Sequence, residues 1–157
     1  APQASPPTIA AALGLTESDL AGHPLWVNTG TEQLIVPLAN AEAVRRMRVS
    51  YDLLARATTD SARPNAYAFA ETGAGSLLSR YFFSRSEAMV EDPATGSATA
   101  NLGGWYLANN TPLPLTLSIF QGEMTGRPSS LRLRIDEIRN IYVAGEVIEV
   151  GRGEFEI

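Results

Sequence analysis

Residues 91–97, Glu-Asp-Pro-Ala-Thr-Gly-Ser, combine an acidic pair with a turn and the start of a helix. The first turn of a helix leaves backbone N–H groups without partners and carries partial positive charge. Glycine at residue 96 lets a ligand approach those amides, so the turn predicts a cradle for a carboxylate or a phosphate. Asp92 lies just upstream, where a carboxylate can handle a proton or an amine.

The residue types that are missing narrow the chemistry further. The 157-residue chain has no cysteine, all 12 basic residues are arginine, and His23 is the single histidine. This composition excludes thiol nucleophiles, cysteine-ligated zinc, a Schiff-base or phosphate-loop lysine and a multi-histidine metal site. Carboxylates, hydroxyls, arginines, the one histidine and backbone amides remain for catalysis.

The overall composition is that of a globular domain, with 45% hydrophobic and 18% charged residues. The net charge of −5, without a dense basic patch, argues against a nucleic-acid partner. No apolar run approaches the roughly 18 residues that a membrane span needs, and no signal-peptide pattern is visible. We therefore expect a cytoplasmic protein that binds neither nucleic acid nor a membrane.

The predicted elements place the acidic turn before a central helix. Small residues and the Gly103-Gly104 pair predict a closely packed helix from about residue 96 to 108. Residues 84–91 predict a polar loop that leads into the turn, and residues 151–153 predict a hairpin tip. Strands are predicted over residues 25–28, 33–38, 66–70, 77–84, 113–120, 131–135, 141–150 and 154–157.

Residues 91–101, which contain Glu-Asp-Pro-Ala-Thr-Gly-Ser-Ala, resemble the signature of the PhzF-like isomerase family, whose name comes from phenazine biosynthesis. Three further segments resemble the family in the right order. Residues 27–37 are similar to its hairpin, residues 121–129 to its later turn and residues 143–147 to its closing strand. The resemblance covers nearly the whole chain.

The resemblance implies an α+β fold related to diaminopimelate epimerase, in which a curved, mostly antiparallel sheet wraps around the helix that begins at Gly96. Members of the family have two similar halves with the active site between them, and residues 1–157 resemble only the second half. The catalytic glutamate and a glycine-histidine pair belong to the first half, which this chain does not contain. The thiol-using diaminopimelate epimerase branch matches poorly, because Asp92-Pro93 stands where that branch needs a cysteine.

The resemblance also implies a function, a metal-free and cofactor-independent proton shift or epimerisation on a small carboxylate-bearing metabolite. Asp92 and Ser97 are the expected catalytic residues, and Ala94, Thr95 and Gly96 are the expected substrate-binding residues. The plainer alternative is a carboxylate that merely complements a helix dipole at an ordinary helix start.

Two partners are expected, the small substrate and either the missing N-terminal half or a second subunit. The isolated chain is then expected to be inactive. A rival interpretation is a catalytically inactive binding or interaction module that retains only the isomerase fold. Three other features are expected to be structural: Glu91, a surface-loop His23 and a solvated Arg127.

Overall fold

The computed structural model describes residues 1–61, 63–154 and 156. Within these residues a single mixed sheet carries helices on both faces. The strands are β1 Leu25–Asn28, β2 Glu32–Pro37, β3 Asn65–Gly73, β4 Ser76–Arg85, β5 Ala88–Asp92, β6 Leu115–Gln121, β7 Ser129–Ile135 and β8 Ile141–Gly145. The helices are α1 Pro6–Ala12, α2 Ala41–Arg46, α3 Tyr51–Ala57 and α4 Gly96–Ala108, with 3-10 turns at Glu17–Asp19 and Glu123–Thr125.

The strand order across the sheet is β1-β2-β3-β4-β6-β7-β8. The β2–β3 and β4–β6 pairs are parallel, and the remaining pairs are antiparallel. Strand β4 shares one edge between two partners, β6 along its first residues and β5 along its last. The expected α+β fold with a mostly antiparallel sheet is confirmed.

Helix α4 lies inside the curve of the sheet and keeps the predicted bounds. A Cβ atom on Gly103 would lie 2.8 Å from Cγ2 of Ile141 in β8, and one on Gly104 would lie 2.7 Å from Cγ1 of Val27 in β1. The two edge strands therefore both close onto one helix. The buried side chains around it form one apolar cluster, whose members include Ile35, Tyr67, Ala98, Leu102, Leu117, Ile119 and Leu133.

Helices α1, α2 and α3 cover the opposite face of the sheet. Two of them begin at side-chain caps, because Asn40 accepts from the Ala43 amide at 2.9 Å and Ser50 from the Leu53 amide at 3.4 Å. A second apolar cluster fills this layer, with Ile9, Leu13, Leu34, Val36, Met47 and Leu54 among its members. Among the described residues, no helix is long and apolar enough to span a membrane.

The loop predicted over residues 84–91 is wrong, because most of this segment is a hairpin. Ser86 and Glu87 take left-handed φ angles of 49° and 58°, and β5 then pairs with β4 in a register that sets Asp92 opposite Tyr81. Two such residues in succession are typical of a tight hairpin turn, which usually contains Asn-Gly or Asp-Gly. Ser-Glu is an unusual sequence for that turn, so the pattern did not indicate it.

The predicted strand over residues 141–150 ends early, at Gly145. Val147, Ile148 and Val150 are β-branched residues of the kind that strands favour, yet these residues are 94%, 87% and 97% exposed. No strand within the described part of the chain lies beside them, and strand-favouring residue types alone cannot bury a side chain. The hairpin tip predicted at 151–153 is likewise not formed, and the strand predicted over 154–157 includes Phe155 and Ile157, which lie outside the described residues.

Candidate active site

Asp92 is the last residue of β5, and it is held by the turn that follows. The Thr95 hydroxyl donates a hydrogen bond to Asp92 Oδ2 at 2.6 Å. Thr95 occupies the N-cap position of α4 but makes no side-chain cap to the helix. A capping side chain normally accepts hydrogen bonds from the amides of the first helical turn, and here no side chain of the N-cap residue does so.

The start of α4 is open to a ligand. Gly96 and Ser97 are exposed, and a Cβ atom on Gly96 would meet no atom within 4 Å. Thr99, one turn further on, is fully buried and donates its hydroxyl proton to the Thr95 carbonyl at 3.0 Å. An anion can therefore approach the helix start from the solvent side. On the inner side, the Thr99 hydroxyl and the Thr95 carbonyl are already hydrogen-bonded to each other.

Gln121, at the end of β6, ties the Asp92 turn to the sheet. Its side chain is 1% exposed. Its Nε2 donates to the Asp92 carbonyl at 2.7 Å and to the Thr95 hydroxyl at 2.9 Å, and its Oε1 accepts from the Thr95 amide at 3.4 Å. Since the Thr95 hydroxyl accepts from Gln121, its own proton is free for Asp92.

A second buried amide, Gln33 of β2, contacts the site from the other side. Gln33 Nε2 donates to Ser97 Oγ at 3.1 Å, and Gln33 Oε1 accepts from Asn101 Nδ2 at 2.7 Å. Asn101 is fully buried on α4, and its Oδ1 accepts from the amide and the hydroxyl of Thr29 at 2.8 and 2.7 Å. The loop between β1 and β2 is thereby bonded to the helix below Ser97.

Tyr81 of β4 lies near both the Gln33 amide and the Asp92 carboxylate. Burial raises the pKa of Tyr81; a hydrogen bond with the Gln33 amide opposes this shift, and the nearby Asp92 charge adds to it. The phenol therefore stays protonated at neutral pH. Tyr81 also lines a cleft of about 320 Å³, together with residues that include Arg63 and Phe83, and its ring stacks on Phe83 at 6.0 Å.

The structure brings together the predicted residues Asp92, Thr95, Gly96 and Ser97, with Ala94 exposed in the same turn. His23 and Arg127 are exposed in loops, as expected. Glu91 accepts from Arg80 Nε and Nη2 at 2.9 and 2.7 Å in a largely buried ion pair, so its expected structural role is supported.

Sequence reasoning missed three buried amides of this site, Gln33, Asn101 and Gln121. Each is an isolated amide side chain in an element whose other residues are mostly apolar or small. Buried amides of this kind almost always have hydrogen-bond partners, and that rule is the signal that could have identified them. Within the described ranges, no three His, Asp or Glu side chains are grouped closely enough to hold a metal ion.

Comparison with known proteins places these residues in a family. The family model for phenazine biosynthesis-like proteins, PhzC-PhzF, matches residues 3–153. The chain belongs to this family. The PhzF-like chain is also 43% identical, over 143 residues, to an uncharacterized isomerase of Pasteurella multocida, and this match covers 90% of the chain and 47% of that relative. An uncharacterized isomerase of Mesorhizobium japonicum is 28% identical, and the match covers 99% of the chain and 56% of the relative.

Solved structures support the fold. A PhzF-family phenazine biosynthesis protein from Bacillus anthracis superimposes with a TM-score of 0.71 at 20% identity, covering 90% of this chain and 51% of that one. A predicted epimerase from Pseudomonas aeruginosa superimposes with a TM-score of 0.68 at 26% identity, and the match covers 96% of this chain and 51% of that one. The PhzF-like chain thus spans about half the length of the relatives that it matches.

Proposed function

We propose that this PhzF-like chain is the substrate-binding half of an isomerase that moves a proton on a small carboxylate-bearing metabolite, without a metal or a cofactor. One observation carries the proposal. The side chain of Thr95 holds Asp92 instead of capping α4, so a fixed carboxylate lies beside an uncapped helix start.

The open helix start suits the binding of the substrate carboxylate. The amides of Gly96 and Ser97, with the Ser97 hydroxyl, donate to its oxygens, and the partial positive charge of the helix start favours the anion. As a proton leaves the neighbouring carbon, charge spreads into the carboxylate, and these preset donors stabilise it.

Asp92 is the group of this chain that contacts the reacting end of the substrate. Because Thr95 occupies Oδ2, the other carboxylate oxygen is the one that orients the substrate or relays the proton. The base that removes the proton is supplied by the N-terminal half or by a second subunit. The relatives are about twice as long as this chain, which agrees with a site shared between two halves.

The test uses the full-length protein and exchange of substrate hydrogen with solvent. A panel of small carboxylates is incubated in D2O, and deuterium incorporation is followed by mass spectrometry. Asp92→Asn is expected to lower the exchange rate by about 10²-fold or more, the usual contribution of a positioned acid or base. Asp52→Asn, on the exposed surface of α3, is the matched control and is expected to keep the full rate.

The outcomes separate the two interpretations. Full exchange in the Asp92→Asn variant would contradict the role of Asp92. Saturable carboxylate binding at Gly96 and Ser97 without exchange of any panel member would favour the inactive binding module. Exchange by the isolated 157-residue chain would contradict the need for the N-terminal half, and exchange by that chain as a monomer would also contradict the need for a second subunit.

A further inference from the structure

The orientation of the Asn101 side chain is dictated by two backbone groups. The Thr29 N–H can only donate, and it lies 2.8 Å from Asn101 Oδ1. The Thr31 carbonyl can only accept, and it lies 2.8 Å from Asn101 Nδ2. A fully buried amide between these two groups has one satisfied orientation, so its oxygen and nitrogen are not interchangeable.

The orientation of Asn101 fixes that of Gln33, and the orientation of Gln33 fixes which hydrogen-bonding role Ser97 takes. Asn101 Nδ2 points at Gln33 from 2.7 Å, so Gln33 must present its oxygen there. Its nitrogen is thereby turned toward Ser97 Oγ, 3.1 Å away. Ser97 Oγ accepts this hydrogen bond from Gln33. Among the described residues, the Ser97 hydroxyl makes no other side-chain hydrogen bond.

We propose that Gln33 and Asn101 are positioning residues that fix the Ser97 hydroxyl as a hydrogen-bond donor toward the ligand. A hydroxyl that accepts from an amide keeps its own proton for another acceptor. Ser97 is exposed at the start of α4, so that acceptor is the bound ligand. The inference deepens the proposed function and rests on it: the site prefers an anionic oxygen because its hydroxyl is preset to donate.

The hydrogen bonds from Asn101 to Gln33 and from Gln33 to Ser97 form a relay. Changing one atom of Asn101 can reverse the direction in which these bonds donate. Asn101→Asp replaces the Nδ2 donor with an oxygen, so the Thr31 carbonyl loses its donor and Gln33 turns its nitrogen toward the new carboxylate. Gln33 Oε1 faces Ser97 instead, which draws the Ser97 proton inward and presents lone pairs to the ligand. Gln33→Glu produces the same inversion without a rotation, and it replaces Asn101→Asp should that variant fail to fold.

The experiment measures benzoate binding to the full-length protein by amide chemical shifts of Gly96 and Ser97. Asn101→Asp is expected to weaken benzoate binding about tenfold or more, the scale of a hydrogen bond to a charged group. Its new negative charge also repels an anion, so the same change is made in the Ser97→Ala background, where that repulsion and the lost bond to Thr31 remain but the Ser97 hydroxyl does not. The loss there is expected to be smaller by about fivefold, a typical coupling between contacting residues.

Asn109→Asp is the matched control. It makes the same charge change on the same helix, directly after its last turn, and it is expected to alter benzoate affinity less than about twofold, as an exposed charge does. Equal losses from Asn101→Asp in both backgrounds would overturn the inference, because the effect would then not pass through Ser97.

A measurement without ligand separates failure of the relay from failure of the proposed function. Ser97→Ala removes the acceptor of Gln33 Nε2, so the side-chain amide resonance of Gln33 is expected to shift while that of Asn109 stays. An unmoved Gln33 resonance would overturn the relay. A wild-type protein whose Gln33 resonance responds to Ser97→Ala, but which binds no benzoate, would overturn the carboxylate cradle and with it the ligand-directed role of Ser97.

Discussion

Two buried amides serve the two ends of the candidate site in different ways. Gln121 contacts backbone groups of the turn, the Asp92 carbonyl and the Thr95 amide, as well as the Thr95 hydroxyl. The Gln33 side chain contacts only side chains, those of Ser97, Asn101 and Tyr81. Gln121 therefore holds the path of the chain and also orients the Thr95 proton, whereas the Gln33 side chain only orients a proton. The same amide–hydroxyl pair thus adds rigidity only where backbone atoms complete it.

The hydrogen bonds that hold the surrounding backbone also differ between the Asp92 side and the Ser97 side of the site. On the Asp92 side, Arg80 pairs with Glu91 and also donates to the carbonyls of Val44, Arg45 and Met47 at 3.1–3.2 Å. The strand that carries Asp92 is therefore bonded to the end of α2. On the Ser97 side, the support is the loop between β1 and β2, near one edge of the sheet. We expect the Asp92 side to tolerate less change.

The largest effect is expected at Gly122, which lets the chain approach the Asp92 turn. A Cβ there would lie 2.2 Å from the Arg127 carbonyl oxygen and 2.6 Å from that of Pro93, and the φ angle is +84°. Gly122→Ala is expected to lower the free energy of unfolding by about 3 kcal/mol or more, from overpacking added to left-handed strain. Urea denaturation measures this difference.

Gly126 is the matched control for that prediction, because it shares the left-handed conformation with φ +70° but has no atom within 4 Å of an added Cβ. Gly126→Ala is expected to cost about 1–2 kcal/mol, from strain alone. If the two variants lost equal stability, the close approach to the Asp92 turn would not matter, and the contrast between the two sides would weaken.

The two amides themselves give the next prediction. Gln121→Met leaves the Asp92 carbonyl and the Thr95 amide without their partner and is expected to cost about 2–3 kcal/mol of unfolding free energy. Gln33→Met leaves side-chain groups that keep another partner, because Asn101 Nδ2 still donates to the Thr31 carbonyl and the exposed Ser97 hydroxyl can bond to water; it is expected to cost about 1 kcal/mol. Thermal and urea unfolding of both variants test the order. The reverse order would break the comparison.

The smallest effect is expected at Tyr67, whose hydroxyl neither amide reaches. It is fully buried near the hydroxyls of Ser79 and Thr99, without a hydrogen bond of normal geometry. Burial raises the pKa of Tyr67 from 10.0 to about 12, although the two neighbouring hydroxyls oppose the shift. Tyr67→Phe is expected to change the free energy of unfolding by less than about 1 kcal/mol at pH 7, because no satisfied hydrogen bond is lost.

The sign of the pH effect follows from the raised pKa. The stability that the protonated phenol contributes is fully present below pH 10.0, the ordinary value for tyrosine, and is lost as the pH rises toward about 12. Tyr67→Phe should therefore lose less stability than the wild type across this range. Tyr51→Phe, on the partly exposed surface of α3, is the control. An unchanged alkaline profile in Tyr67→Phe would contradict the assignment.

Much of the fold could be predicted from local chemistry. Asn40 and Ser50 are typical N-cap residues and helices begin after both, and the small residues of α4 predicted both its bounds and its tight packing. The resemblance to the PhzF family is confirmed. The β5 hairpin was missed because its turn lacks glycine and asparagine, and the strand predicted beyond Gly145 was wrong because strand-favouring residue types say nothing of a neighbouring strand.

The sequence by itself determined that an acidic residue precedes an uncrowded helix start, because helix propensity, glycine and cap residues act over a few positions. It also excluded thiol and lysine chemistry from this chain through composition alone. Only the tertiary structure decided which amides complete the site. Gln33, Asn101 and Gln121 are far apart in the chain, and their hydrogen bonds exist because the curved sheet brings β2 and β6 to the start of α4. Such bonds depend on distance in space, which no local pattern encodes.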